Sequence, residues 1–388
     1  MNNRKAAFLA VFIFSAILLS ACPDLFGARF QIVLKHQRSA SDFGMKGFGQ
    51  VILIDGRPKV ILDSNKRKIA FLDDLGKMHR QRALLENERF VLSENGKFIG
   101  IESIQENGAI FLAVENRREE LLWQDIIRSP RALISNTGAG IVVGSRLDDV
   151  PSKGLDFYDH VGTLMRHVDT DVIKSVEISP LGDKLYLTTA DSISAYDIQG
   201  NTLWAYSTRG GSVFLSDNGE FIFNVQVIAE RENSSIEIYS HQGLSLGVLQ
   251  FPNRCTLLAI SSDGKFVAVE EKNRLLLYEV EKCRLKWAYA LATDPIPGFQ
   301  ALGLSAADIG ADAQRIAIVV TAGQKVGPGP GEYEFSRYIR ILDREGRKIC
   351  ERFLVKKGGQ LQVKLSPRGR ALTVWTQDDL YSLSIERR

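Results

Sequence analysis

Apolar residues in this chain come in short runs separated by turn residues, and the runs recur in a fixed order. After Phe266-Val267-Ala268-Val269 comes Leu275-Leu276-Leu277-Tyr278-Glu279-Val280, then Leu285-Lys286-Trp287-Ala288-Tyr289. After Lys184-Leu185-Tyr186-Leu187 comes Ile193-Ser194-Ala195-Tyr196-Asp197, a turn at Gln199-Gly200, then Leu203-Trp204-Ala205-Tyr206. Short runs of β-branched and aromatic residues bounded by Gly, Asn and Asp predict strands. No repeat carries a long amphipathic helical pattern, which disfavours a fold of alternating strands and helices.

One turn motif punctuates these runs: Ser, two residues, Gly, then an apolar strand. Its clearest copies are Ser93-Glu94-Asn95-Gly96 and Ser216-Asp217-Asn218-Gly219, followed by Ser261-Ser262-Asp263-Gly264 and Ser179-Pro180-Leu181-Gly182. Ser135-Asn136-Thr137-Gly138 and Ser366-Pro367-Arg368-Gly369 are looser, and Gly310-Ala311-Asp312-Ala313 is degraded. Ser, Asp and Asn bond the local backbone at a tight turn, and Gly accepts the positive φ that reverses the chain. In chain order the copies start at Ser93, Ser135, Ser179, Ser216, Ser261, Gly310 and Ser366. That spacing is close to the roughly 40–50 residues of one propeller blade. Four strands repeated at such intervals predict the blades of a β-propeller.

The expected fold is therefore all-β, a single propeller of four-stranded antiparallel blades over residues 30–388. The last repeat runs Leu361–Leu365, Ala371–Trp375 and Leu380–Ile385 and then lacks a fourth strand. Phe30–Leu34 is expected to supply it, closing the ring without a free edge. Eight blades are favoured; seven is the count if the N-terminal strands form an appendage.

Residues 1–22 carry a different pattern. Arg4-Lys5 precede an apolar stretch from Ala6 to Leu19, broken only by Ser15. That is shorter than the roughly 20 residues a spanning helix needs, and it reads as a signal peptide. It ends in Leu19-Ser20-Ala21-Cys22, which resembles the lipobox of bacterial lipoproteins. The resemblance implies acylation of Cys22, cleavage before it, a short tether over 23–29, and a periplasmic or cell-surface location on a membrane. Composition fits a globular body, with 45% hydrophobic and 24% charged residues. Of the 49 lysines and arginines, Arg4 and Lys5 lie in this segment, and the rest nearly balance 46 acidic residues. The balance is too even for a nucleic-acid footprint.

The repeats resemble those of bacterial WD-like and quinoprotein-like propellers. Ala195-Tyr196-Asp197 through Gly200 to Trp204 is similar to the quinoprotein repeat, one residue short, whereas the Trp-Asp and Gly-His signatures of WD repeats are absent. A quinoprotein dehydrogenase would carry adjacent cysteines. Cys255, Cys283 and Cys350 are far apart in sequence, so no cofactor is expected. Cys255 and Cys283 fall on a first and a third strand of one blade, too far apart to bridge.

Catalytic motifs are missing: there is no Gly-x-Ser-x-Gly elbow and no His-Glu-x-x-His pair. The five histidines are scattered and read as turn residues, with His160 and His167 close enough to share a site. Asp148-Asp149 and Asp169-Thr170-Asp171 do not continue into a calcium loop. No metal and no enzyme activity are expected. Three long connections, at 144–155, 227–235 and 321–336, fall on one face, where propellers of this type build binding surfaces. From them and the adjoining Arg337, the candidate partner-binding residues are Arg146, Asp148, Arg231, Lys325, Tyr333 and Arg337. The expected function is a lipid-anchored scaffold that binds an envelope protein. The alternatives are an envelope hydrolase or lyase, with carboxylates or histidines converging in the channel, and a small-ligand sensor.

Overall fold

The computed structural model describes residues 30–54, 57–73, 77–127, 132–136, 138, 141–144, 154–228, 233–291, 300–325, 333–355, 361–366 and 368–387. Their strands form eight four-stranded antiparallel sheets. We number these as blades 1 to 8: residues 48–83, 88–127, 132–168, 175–207, 212–251, 255–290, 300–355, and 362–387 joined by Phe30–Ser39. Cys22 and the rest of the signal-like segment lie outside the described residues.

Each sheet is apolar on both faces, so it is stable only between two others. An apolar cluster fills each seam. Leu112 and Val114 of blade 2 pack with Ala132 and Tyr158 of blade 3. Phe223 and Ile238 of blade 5 pack with Val267 and Leu276 of blade 6. Ala317 and Ile341 of blade 7 pack with Val363 and Leu372 of blade 8. The seam between blades 6 and 7 also holds a fully buried cation. Arg340 donates to the Tyr289 hydroxyl at 3.0 Å and pairs with Glu351, which offsets the cost of burying its charge.

The first strands of neighbouring blades touch one another, which makes them the inner ring around the axis. The serine turns sit where first strands hand over to second strands. Ser93, Ser216 and Ser261 each accept the N–H five residues on, at 3.0, 3.0 and 2.9 Å. The outer turns, between third and fourth strands, lock one blade onto the next. Gly162 of blade 3 has φ +83°, and a Cβ there would lie 2.7 Å from the Trp123 ring of blade 2. Glycine is required at that turn by both conformation and space.

One expectation is corrected. The N-terminal strand does not itself bridge the two ends of the ring, and its outer edge pairs with no other strand among the described residues. Phe30–Ser39 pairs on one side only, antiparallel to Asp379–Arg387, and completes blade 8 as its outermost strand. Blade 8 is joined to blade 1 by side chains, with Trp375 and Leu380 packed on Phe48, Val51, Ile61 and Ala70. The seven turn motifs also do not count the sheets, because blade 1 carries no copy of the motif.

Candidate functional site

The innermost strands and their turns bring charged side chains from five blades to one end of the axis. Lys364, on the first strand of blade 8, lies 3.6 Å from Asp308 on the first strand of blade 7. It also lies 3.9 Å from Asp217, in the first turn of blade 5. Blades 5 and 8 are separated by two others, so this contact reaches across the ring. Glu94, in the first turn of blade 2, senses both Asp217 and Lys364, and Glu177 on the first strand of blade 4 senses Glu94. Three carboxylates thus face one ammonium at the mouth of the channel, and a fourth, Glu177, stands behind Glu94.

Their environment opposes that concentration of negative charge. Burial, with Glu94 adding to it, pushes the Glu177 carboxyl up to about 7. Glu177 also has no hydrogen-bond donor among the described residues. Burial likewise pushes Asp308 up to about 6, although Lys364 and the Leu365 N–H, at 2.6 Å, pull the other way. Glu94 is raised by the protein packed around it and by Asp217, against the opposing pull of Lys364 and Asn136. For Lys364, burial opposes the charge, yet Asp308, Asp217 and Glu94 hold its ammonium above the usual lysine value. The arrangement is short of positive charge. A lysine or arginine entering the mouth would oppose the influences that raise Glu94, Glu177 and Asp308.

The sequence-derived candidates lie elsewhere. Arg146, Asp148 and Arg231 fall outside the described residues. Lys325 and Tyr333 are paired across the far ends of the strands Arg315–Lys325 and Tyr333–Asp343, with their side chains not described. That end is opposite the serine turns, so these residues and the carboxylates occupy different faces. Arg337 is half-buried; its Nε and one Nη are buried with no hydrogen-bond partner among the described residues, and burial lowers its pKa. The structure does not bring Arg337 to the channel carboxylates.

His160 and His167 do not form a shared site. His160 stands exposed in a turn, whereas His167 sits between two carboxylates, 2.7 Å from Asp156 and 3.2 Å from Asp169. Reading His167 as a turn residue is therefore corrected: it belongs to the strand Leu164–Val168. Among the described residues no group of three His, Cys, Asp or Glu side chains is placed to hold a metal ion. Cys255, Cys283 and Cys350 are free thiols, and burial pushes all three up. Sequence reasoning missed Glu94 and Asp217, which occupy the second position of the serine turn and look like solvated residues. Their shared position in two copies of the motif was the available signal.

No protein-family model matches this chain, and no curated protein matches it. Solved structures do. The C-terminal WD40 domain of Sif2 superposes with a TM-score of 0.58 at 14% identity, over 91% of this chain and 99% of that one. A structure of the eukaryotic initiation factor gives 0.54 at 12% identity, over 81% of this chain and 77% of the other. The fold is a WD40-like β-propeller. At these identities the likeness concerns the fold alone, and function has to be argued from the site.

Proposed function

We propose that this chain is a lipid-anchored β-propeller of the bacterial cell envelope that acts as a protein-binding scaffold. Its acidic channel mouth receives a basic segment of the partner. The observation that carries the reading is the gathering of Glu94, Asp217 and Asp308 around Lys364, with Glu177 beside Glu94. A bound lysine or arginine offsets repulsion that the free protein carries, so charge complementarity gives both affinity and partner choice. The anchor rests on the apolar run ending in Leu19-Ser20-Ala21-Cys22. Diacyl attachment there would hold the propeller at a membrane surface.

The same carboxylates also favour a second reading, an envelope hydrolase acting on a polymer, because raised and coupled carboxyls suit general acid–base work. Lys364 already holds Asp217 and Asp308 in ion pairs, which favours charge recognition over a free acid–base pair. The test is titration of the full chain with fluorescently labelled hexalysine. The wild type binds it, and the triple variant Glu94→Gln, Glu177→Gln, Asp217→Asn binds at least tenfold more weakly. Equal binding would contradict the proposal. In membranes, Cys22→Ala shifts the protein to the soluble fraction; if it stays membrane-bound, the lipid anchor is wrong.

A further inference from the structure

On the face away from the carboxylates, the seam between blades 3 and 4 opens into a cleft of about 530 Å³. That volume is within the range of small-molecule sites. Its wall is the strand Ser192–Asp197, which presents Ser192, Ser194 and Tyr196 on one face, and its rim is Asp169 and Asp171 of the connection between the blades.

Three observations give the cleft a chemistry. Ser194 is only 7% exposed, lines the cleft, and its hydroxyl makes no hydrogen bond to any described residue. The Tyr196 hydroxyl is likewise without such a bond. Both hydroxyls line the cleft and are open to a partner that enters it. Asp169, at the rim, is oriented by His167 at 3.2 Å, and His167 is itself held at 2.7 Å by the buried Asp156. The wall therefore offers hydroxyls that can donate or accept, and the rim offers oriented acceptors. The complementary ligand carries several O–H groups and no negative charge.

We propose that this cleft binds a neutral carbohydrate ring, with Ser194 and Tyr196 bonding ring substituents and Asp169 accepting from a sugar hydroxyl. The inference is independent of the channel mouth, which lies at the opposite end of the blades.

The test uses the full chain in a detergent without a sugar headgroup, with glucose, N-acetylglucosamine and glucuronate as probes in saturation-transfer NMR. At least one neutral sugar should receive saturation, and glucuronate at the same concentration should not. Ser194→Val, which removes the hydroxyl but keeps an apolar seam, should weaken binding at least tenfold without lowering the melting temperature. Asp169→Asn should weaken it severalfold. No transfer to either neutral sugar, equal transfer to glucuronate, or unchanged binding by a folded Ser194→Val variant would each overturn the proposal.

Discussion

In the seam between blades 5 and 6, Leu276 and Tyr278 of the strand Arg274–Glu279 face blade 5; in the seam between blades 3 and 4, Ser194 and Tyr196 hold the matching places. The two strands run in the same register: Val269 lies across from Leu276, and Leu187 across from Ser194. Each also has a bulge just before its tyrosine. The filling differs. Leu276 is 4% exposed within a cluster that includes Phe223, Ile238, Leu249 and Phe251. The described cluster around Leu187 is Leu155, Phe157, Ile173 and Leu185, and beside it is the cleft. One geometry supports either a packed seam or a binding site, depending on whether a leucine or a serine occupies one position.

Moving the serine into the packed seam gives the largest expected effect. Leu276→Ser leaves a cavity and an unpaired hydroxyl, and costs about 4 kcal/mol. Urea unfolding checks this, and a loss below about 1 kcal/mol would mean the two seams are not packed differently. The outer turns give the next effect. Gly162→Ala meets the Trp123 ring as well as a positive φ, and costs about 3 kcal/mol. Gly108→Ala has a similar φ of +81° with nothing within 4 Å, and costs about 1 kcal/mol. Equal costs would show that the turn is not locked against the neighbouring blade.

The third effect separates the cleft from the other end of blade 4. The folded pKa of Glu177 lies above its unfolded value, so ionising it is harder in the fold. Its contribution to stability is greatest below about pH 4.5. That contribution falls as pH rises toward about 7 and is constant beyond. Glu177→Gln should remove this slope and stabilise the protein by about 2 kcal/mol at about pH 8. Denaturant midpoints on either side of the transition, at about pH 5 and about pH 8, measure it. The smallest effect is Ser194→Leu. Filling the cleft should add about 1 kcal/mol and abolish sugar binding, and destabilisation instead would show that the space is already packed.

Much of the fold was legible because it is local. A serine accepting the N–H five residues on and a glycine at positive φ are set by neighbours in sequence, so Ser93, Ser216 and Ser261 marked their turns correctly. The join between blades 8 and 1 was not, since it depends on Trp375 meeting Phe48 from the far end of the chain. The site was hidden for the same reason. Glu94, Asp217 and Lys364 are far apart in sequence and each looks like surface alone; only the ring brings them together. His167 was misread because Asp156 and Asp169 flank it through strand pairing and a turn, which leaves no motif.

The most direct measurement is a carboxyl-detected NMR titration of Glu177 in the full chain, alone and saturated with hexalysine. A midpoint of about 7 is expected in the free protein, with a clear fall when the peptide is bound. A midpoint in the ordinary glutamate range, or one that hexalysine does not move, would contradict an acidic mouth built to take a cation.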